Sequence, residues 1–246
     1  MLRARSAHTP SRIHEVTYSR ETRVPLFAGL DRSGTPDLRD TNLAHNLYVV
    51  CIAAVQDLDG FCAGLVSLRY RLGMPADAEF HGHRTFDRTQ AAILRIALDA
   101  GLGANALLVD KALTRECYGS EVLPAPSMLQ MESGIRVVSR FAQRYPLAAL
   151  WCDEDIKGRK AQKAFVTAIE RAHRAVWPDL HVKVRHGPSN KSDMVQLSDV
   201  LAYAIGKLAR HGRQQPELVR ILERITSDSG NAVEGPQQWQ AGVDEG

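Results

Sequence analysis

The sequence predicts an α/β fold in which helices flank a mixed sheet. Over residues 24–210, short apolar runs of strand length alternate with longer segments whose apolar residues recur every three or four positions. Such alternation is typical of a single layered domain, and no Pro- or Gly-rich linker interrupts it. The composition, 44% hydrophobic and 24% charged, excludes disordered, fibrous and disulfide-stapled chains.

The first half of the span predicts three strands and two helices. Three apolar runs have the length and composition of strands: 24–30, 47–56 and 103–109. Two segments have helical spacing: 60–72 and 89–100. The first two strands are expected to pair antiparallel. Pro75 ends the first helix, whereas Asp87 is expected to cap the second and Gly101 to end it.

The second half predicts two strands and four helices. The predicted strands are 147–152 and 181–185, the second being an edge strand because its residues alternate in polarity. Four segments have helical spacing: 127–145, 158–176, 193–210 and 216–225. The helix over 158–176 has an apolar stripe on one side and basic residues on the other.

The formal net charge of +3 is unevenly distributed along the chain. Residues 1–23 are basic and are expected to form a flexible arm before an α/β domain over 24–226. Residues 227–246, rich in Gly, Gln and acids, are expected to be disordered. Residues 157–213 carry 12 basic and four acidic groups, which predicts a polyanion-binding surface. A solvated helix face with surplus Lys and Arg explains the same charge.

Cysteine usage and hydropathy indicate the compartment. The four Cys residues form no CxxC pair, which excludes zinc-ribbon and thioredoxin-like sites. No run approaches the ~18 apolar residues of a membrane helix, and the N-terminus has no apolar signal segment. We therefore expect a cytoplasmic protein without a membrane partner.

Several carboxylates follow predicted strands or lie on apolar helix flanks. They are Asp31, Glu79, Asp110, Asp153 and Asp199. A carboxylate on an apolar helix is costly unless it is paired or binds a cation, and oxygen ligands favour Mg²⁺ or Mn²⁺. Two such ions can promote phosphodiester cleavage. An Asp at a strand end also commonly caps a turn.

His81 and His83 alternate, so on a strand they would point to opposite faces and could not share a metal.

The order of these motifs resembles the domain-of-unknown-function 3800 family over about residues 24–210. Four motifs carry the resemblance: Asp31-Arg32-Ser33-Gly34, Glu79-Phe80-His81, Asp153-Glu154 and Val195-Gln196-Leu197-Ser198-Asp199. The first and last are moderately specific, and the middle two are weak alone. The family is similar to ribonuclease H-like proteins, in which acidic side chains cluster at one side of a mixed sheet and bind Mg²⁺ or Mn²⁺.

The resemblance implies a role for each matching residue. The implied catalytic residues and metal ligands are Asp31, Glu79, Asp153 and Asp199, with Asp155 as an alternative to Asp153. The implied supporting residues are Ser33, His81 and Gln196. The basic segment adds candidate nucleic-acid contacts at Arg159, Lys160, Lys163 and Lys191.

These residues support two main functions. The first is a metal-dependent nuclease, a hydrolase of phosphodiesters, and the second is a catalytically degenerate nucleic-acid-binding or interaction protein on the same fold. Hydrolysis of a small phosphorylated metabolite is a third. Arg32 stands where the family usually has Glu, which weakens the chemistry if that Glu assists the metal. If Arg32 points to the opposite face of the strand, the change is harmless.

Overall fold

A computed structural model describes residues 24–42, 46–118, 123–153, 156, 158–211, 215–227 and 232–234. The predicted basic arm, 1–23, lies outside the described residues. The strands are β1 (Leu26–Ser33), β2 (Leu47–Val55), β3 (Gly103–Asp110), β4 (Leu147–Cys152), β5 (Lys183–His186) and β6 (Ala232–Glu234). The helices are α1 (Leu58–Arg71), α2 (Asp87–Asp99), α3 (Lys111–Tyr118), α4 (Pro126–Ala142), α5 (Arg159–Val176), α6 (Asp193–His211) and α7 (Pro216–Ser227).

The described strands form one mixed sheet in the order β5-β4-β1-β2-β3-β6. As expected, β1 and β2 pair antiparallel, and β2 also pairs antiparallel with β3. The pairs β1–β4, β4–β5 and β3–β6 are parallel. The carboxyl ends of β1, β3, β4 and β5 therefore lie at one edge of the sheet. The prediction of an α/β fold with helices flanking a mixed sheet is confirmed.

Alternate residues of the strands pack into two separate cores. Residues such as Val49 and Cys51 of β2 pack with α1, α2, α6 and α7 on one face of the sheet. Their neighbours Val50 and Ile52 pack with α4 and α5 on the other face. Because side chains alternate along a strand, β2 contributes equally to both cores, which explains its almost continuous apolar sequence.

Helix α6 lies unusually close to the sheet. A Cβ atom on Gly29 of β1 would stand only 2.0 Å from the backbone oxygen of Met194, so only glycine permits this approach. The hydroxyl of Ser198 also donates to the backbone oxygen of Gly29 at 2.8 Å. Further along α6, a Cβ on Gly206 would stand 3.1 Å from the side chain of Val49. The helix thus crosses from β1 to β2 along the face that also carries Asp31.

Two differences in element boundaries affect candidate residues. Strand β1 continues to Ser33, because its last residues pair with β2, so Asp31 lies within the strand. Helix α2 is capped at Phe86 without a side-chain hydrogen bond, and Asp87 is its first residue. Asp87 instead accepts a hydrogen bond from Lys207 of α6 at 2.6 Å.

Two described elements were not expected. Helix α3 follows β3 directly, since the carboxylate of Asp110 accepts hydrogen bonds from the N–H groups of Ala112 and Leu113 and caps the helix. Residues 232–234, expected within a disordered tail, form β6 beside β3. Three residues are too few to show an alternating pattern. Only the composition of the tail was informative, and it indicated disorder rather than a strand. None of the helices in the described part of the chain has the length and apolarity needed to span a bilayer.

Replacement of Gly29 with Ala should strongly destabilise the protein. The new methyl group would collide with the backbone of α6, and backbone cannot move aside as a side chain can. We expect a loss of about 3 kcal/mol or more in the free energy of unfolding, at or above the upper range for overpacking. Urea denaturation measures this loss.

Gly187→Ala is the matched control, because a Cβ at Gly187 meets nothing within 4 Å. It should change the free energy of unfolding by less than about 0.5 kcal/mol. Equal stability of the two variants would contradict the close contact between α6 and β1.

Candidate functional site

Asp31 and Asp153 lie side by side on neighbouring parallel strands. Leu30 pairs with Cys152, so each Asp is the next residue after a paired position. The backbone N–H of Asp153 donates to the oxygen of Leu30 at 3.3 Å, which continues the strand pairing to this point. Adjacent strands are about 4.8 Å apart. By alternation, both carboxylates belong to the face of the sheet that α6 covers.

Asp199 reaches the same region from α6. Its carboxylate accepts a hydrogen bond from the backbone N–H of Gly82 at 2.8 Å. Burial raises the pKa of Asp199 above its ordinary value; the Gly82 N–H, His81 and His83 lower it, and Asp153 raises it. Ser198, the residue before Asp199, donates to the backbone oxygen of Gly29 on β1, so Asp199 lies near the face of the sheet that carries Asp31 and Asp153.

Gln196 and Arg69 fix the segment that carries Glu79 and His81. The amide oxygen of Gln196 accepts from the backbone N–H of Phe80 at 3.0 Å and from Arg69 at 3.2 Å. The Arg69 guanidinium also donates to the backbone oxygen of Ala78 and to Asp193, each at 2.7 Å. Arg69 and Gln196 are both buried, so these hydrogen bonds are strong constraints. Gln196 is therefore a positioning residue.

Glu79 lies beside His81 at the start of α6. Its carboxylate is 3.1 Å from Nε2 of His81 and accepts a hydrogen bond from the hydroxyl of Ser189. Gly82, the residue after His81, donates its N–H to Asp199 at 2.8 Å, so the segment that carries Glu79 and His81 reaches Asp199. The four predicted carboxylates therefore occupy one neighbourhood, with Glu79 at its margin.

His81 and His83 do not lie on a strand, contrary to the expectation. They occupy a turn in which the N–H groups of Arg84 and Thr85 donate to the oxygen of His81. Their ring centroids are 5.8 Å apart, so the two rings do not point to opposite faces. The buried side chain of Gln90 holds this turn by donating to the oxygens of Gly82 and Thr85 at 2.7 and 2.8 Å.

The donor chemistry of this neighbourhood fits a hard divalent cation. Asp31, Asp153 and Asp199 supply carboxylate oxygens, which Mg²⁺ and Mn²⁺ prefer, and a cation would offset the cost of burying Asp199. Among the described residues, no three His, Cys, Asp or Glu side chains are arranged as a complete metal-binding group. The metal stays a prediction.

The remaining predicted site residues have distinct positions. Ser33 ends β1 two residues beyond Asp31 and is half-buried, on the face that α6 covers. Arg32 points to the other face, where its guanidinium stands 3.4 Å from the position of a Cβ on Gly134 of α4. Arg32 in place of Glu therefore removes no carboxylate from the α6 face. Asp155 lies outside the described residues.

The basic residues of α5 lie on the opposite side of the sheet from Asp199. Phe165 and Ile169 of α5 belong to the core shared with α4, whereas α6 belongs to the other core. We expected the basic segment to lie beside the carboxylates, and the structure separates its α5 part from them. The exposed cations of α5 include the predicted contacts Arg159, Lys160 and Lys163; the first two begin the helix.

Other cations are on the same side as the carboxylates. Lys191 is exposed in the turn before α6. Arg185 of β5 pairs with Trp151 of β4, and its guanidinium lies over the Trp151 ring at 5.1 Å. The alternation of Lys183 and Arg185 in the sequence predicts that β5 has one exposed face. Only the pairing of β5 with β4 shows on which side of the sheet that face lies.

The comparisons with known proteins do not identify a relative. No protein-family model matches the chain, and no curated protein matches it. The resemblance to the domain-of-unknown-function 3800 family therefore stays a prediction.

The raised pKa of Asp199 predicts a specific pH dependence of stability. The native protein holds a proton on Asp199 more tightly than the unfolded chain, whose Asp pKa is about 3.9. As the pH rises from that value through the native pKa, ionisation of Asp199 reduces the free energy of unfolding. Asp199→Asn cannot ionise, so its stability relative to the wild type should increase across this window and then level off.

Urea denaturation at a series of pH values in EDTA measures this difference. His81→Gln is the control background: it removes a cation that lowers the pKa of Asp199, so the window should extend to higher pH. A difference between Asp199→Asn and the wild type that stays constant or falls with pH would disprove the assignment.

Proposed function

We propose that the protein is a metal-dependent nuclease that hydrolyses phosphodiesters on a ribonuclease H-like scaffold. The observation that carries the proposal is the convergence of Asp31, Asp153 and Asp199 on one face of a mixed sheet. Two neighbouring strands and a crossing helix supply them, which is the kind of arrangement that the family resemblance implies. Asp110, also at a strand end, instead caps a helix, so not every strand-end carboxylate belongs to this group.

Asp31, Asp153 and Asp199 would hold the Mg²⁺ or Mn²⁺, with Glu79 as a further ligand. When bound, such an ion supplies charge neutralisation at the scissile phosphate and activation of water. Burial makes the ionised form of Asp199 costly, and this cost is what favours cation binding.

The surrounding residues position these groups. Gln196 and Arg69 fix the backbone on either side of Glu79, and Gly82 orients the Asp199 carboxylate through its N–H. His81 lies beside Glu79, with its Nε2 3.1 Å from the carboxylate. Lys191 and Arg185 would neutralise backbone phosphates on the same side of the sheet.

A second function is a nucleic-acid-binding protein on the same scaffold that has lost catalysis. The observation in its favour is that Glu79 is engaged by His81 and Ser189 and so lies at the margin of the group. This protein would bind nucleic acid in a salt-dependent manner without cleaving it.

Asp31→Asn and Asp199→Asn should each reduce Mn²⁺-dependent cleavage at least about 100-fold, because loss of a ligand removes several kcal/mol of transition-state stabilisation. The assay follows labelled single-stranded and duplex DNA and RNA in Mg²⁺ or Mn²⁺. Mn²⁺ should also raise the thermal midpoint of the wild type, and Asp31→Asn should reduce this rise.

Asp110→Asn is the matched control, since it changes a strand-end carboxylate that caps α3 and should retain cleavage. Circular dichroism checks that each variant is folded. Unchanged cleavage in both Asp31→Asn and Asp199→Asn would refute the nuclease. Binding without cleavage by the wild type, together with no effect of Mn²⁺ on its stability, would support the second function.

A further inference from the structure

An open cleft lies beside the proposed catalytic face. Its volume is about 510 Å³. The residues that matter for its chemistry are His83, Arg84, Phe86, Arg88, Tyr203 and Lys207. They come from the turn before α2, the first residues of α2 and the middle of α6. The cleft therefore combines cations with aromatic rings.

The turn around Gly82 connects this cleft to the carboxylates. Tyr203 lies four residues after Asp199 on α6, one helical turn of about 5.4 Å along the same side of the helix. A Cβ on Gly82 would stand 2.6 Å from Cβ of Tyr203 and 2.9 Å from a carboxylate oxygen of Asp199. The cleft therefore begins about one helical turn from Asp199.

The charged side chains around the cleft favour a phosphate. Arg84, Arg88 and Lys207 are positive, and Asp87 is the one carboxylate among the described residues that line the cleft. Asp87 is paired with Lys207 at 2.6 Å, which leaves the two arginines as the excess charge. Arg84 also donates to the ring of His83 at 3.1 Å, and both side chains are exposed. Two exposed guanidinium groups suit bidentate contact with phosphate oxygens.

The Phe86 ring is the most unusual feature of the cleft. It is 84% exposed although its backbone is fixed, because it caps α2 and its carbonyl accepts from the N–H groups of Thr89 and Gln90. An exposed aromatic ring on a fixed backbone, in a cleft that two arginines also line, is suited to stacking against a nucleobase. The groove on α5 offers cations such as Lys163 and Arg171 but no aromatic ring among the residues described there.

We propose that this cleft binds an unpaired nucleobase and its adjoining phosphate, so that the substrate is single-stranded nucleic acid. This inference rests on the proposed nucleic-acid function. Phe86 stacks on the base while Arg84 and Arg88 contact the phosphate. In a duplex, both faces of an internal base are already stacked, so an internal base has no free face on which Phe86 can stack.

Fluorescence anisotropy in EDTA tests the proposal without catalysis. The probes are labelled oligothymidylate and oligouridylate of about 12 nucleotides, within the size range of single-strand sites, and a DNA duplex of equal length. Phe86→Ala should weaken binding of the single strands about 5- to 150-fold, the loss of one stacked base. Phe86→Trp should preserve binding, and Phe86→Ala should leave any duplex binding unchanged.

Tyr70→Ala is the matched control, because Tyr70 is 85% exposed on α1 and does not line the cleft. It should have no effect on affinity. Arg84→Ala and Arg88→Ala should each reduce the slope of log affinity against log salt by about 1, whereas Arg71→Ala should not. Thermal unfolding verifies that the variants are folded.

Three results would overturn the proposal: equal affinity of Phe86→Ala and Tyr70→Ala, an equal loss of single-strand and duplex binding in Phe86→Ala, or no binding of either single strand by the wild type. Preference for one of the two oligonucleotides would assign the substrate as DNA or RNA. Single-strand binding through Phe86 without any Mn²⁺-dependent cleavage would support base binding in the cleft and refute only the proposed nuclease activity.

Discussion

The backbone of α6 lies closer to β1 than any side chain at position 29 would allow. Gly29 makes this approach possible, and the hydroxyl of Ser198 secures it with a hydrogen bond to the strand. Asp199, the next residue, is thereby brought to the face on which β1 and β4 present Asp31 and Asp153. Helix-to-sheet distances are normally set by side-chain volume. Here the absence of a side chain determines how far the helix carboxylate is from those of the strands.

Ionisation of the buried Asp199 carboxylate costs free energy, and a polar network offsets part of that cost. Burial disfavours the ionised form of Asp199, while the Gly82 N–H favours it. That N–H is correctly placed because Gln196 and Arg69 hold the preceding residues. The network thus links α1, the turn before α2 and α6. Truncating a buried member of it would leave several partners unsatisfied at once, which explains why Gln196 matters although it is not among the carboxylates.

Local patterns predicted most of the elements. The bounds expected for β4 are those observed, because an apolar run between a helix and an acidic stretch is unambiguous. Patterns failed where long-range pairing decides the structure. Residues 232–234 become a strand only because the edge of β3 accepts them. His81 and His83 alternate as strand residues do, yet a turn places their rings near one another. Asp31, Asp153 and Asp199 lie on one face, but the path of α6 that groups them depends on Gly29, whose role the sequence does not reveal.

The same limitation applies to charge. Residues 157–213 are strongly basic in the sequence, but the chain passes from one face of the sheet to the other within that segment: α5 packs with α4, and α6 packs against the opposite core. The exposed cations of α5 therefore face away from the carboxylates. On the carboxylate side, part of the positive charge comes from Arg84 and Arg88, which line the cleft beside α6, outside the basic segment. Since electrostatic attraction at a surface is screened beyond about 10 Å, position on the same side of the sheet decides which cations act on a bound phosphate. The net charge of a sequence segment does not determine which cations these are.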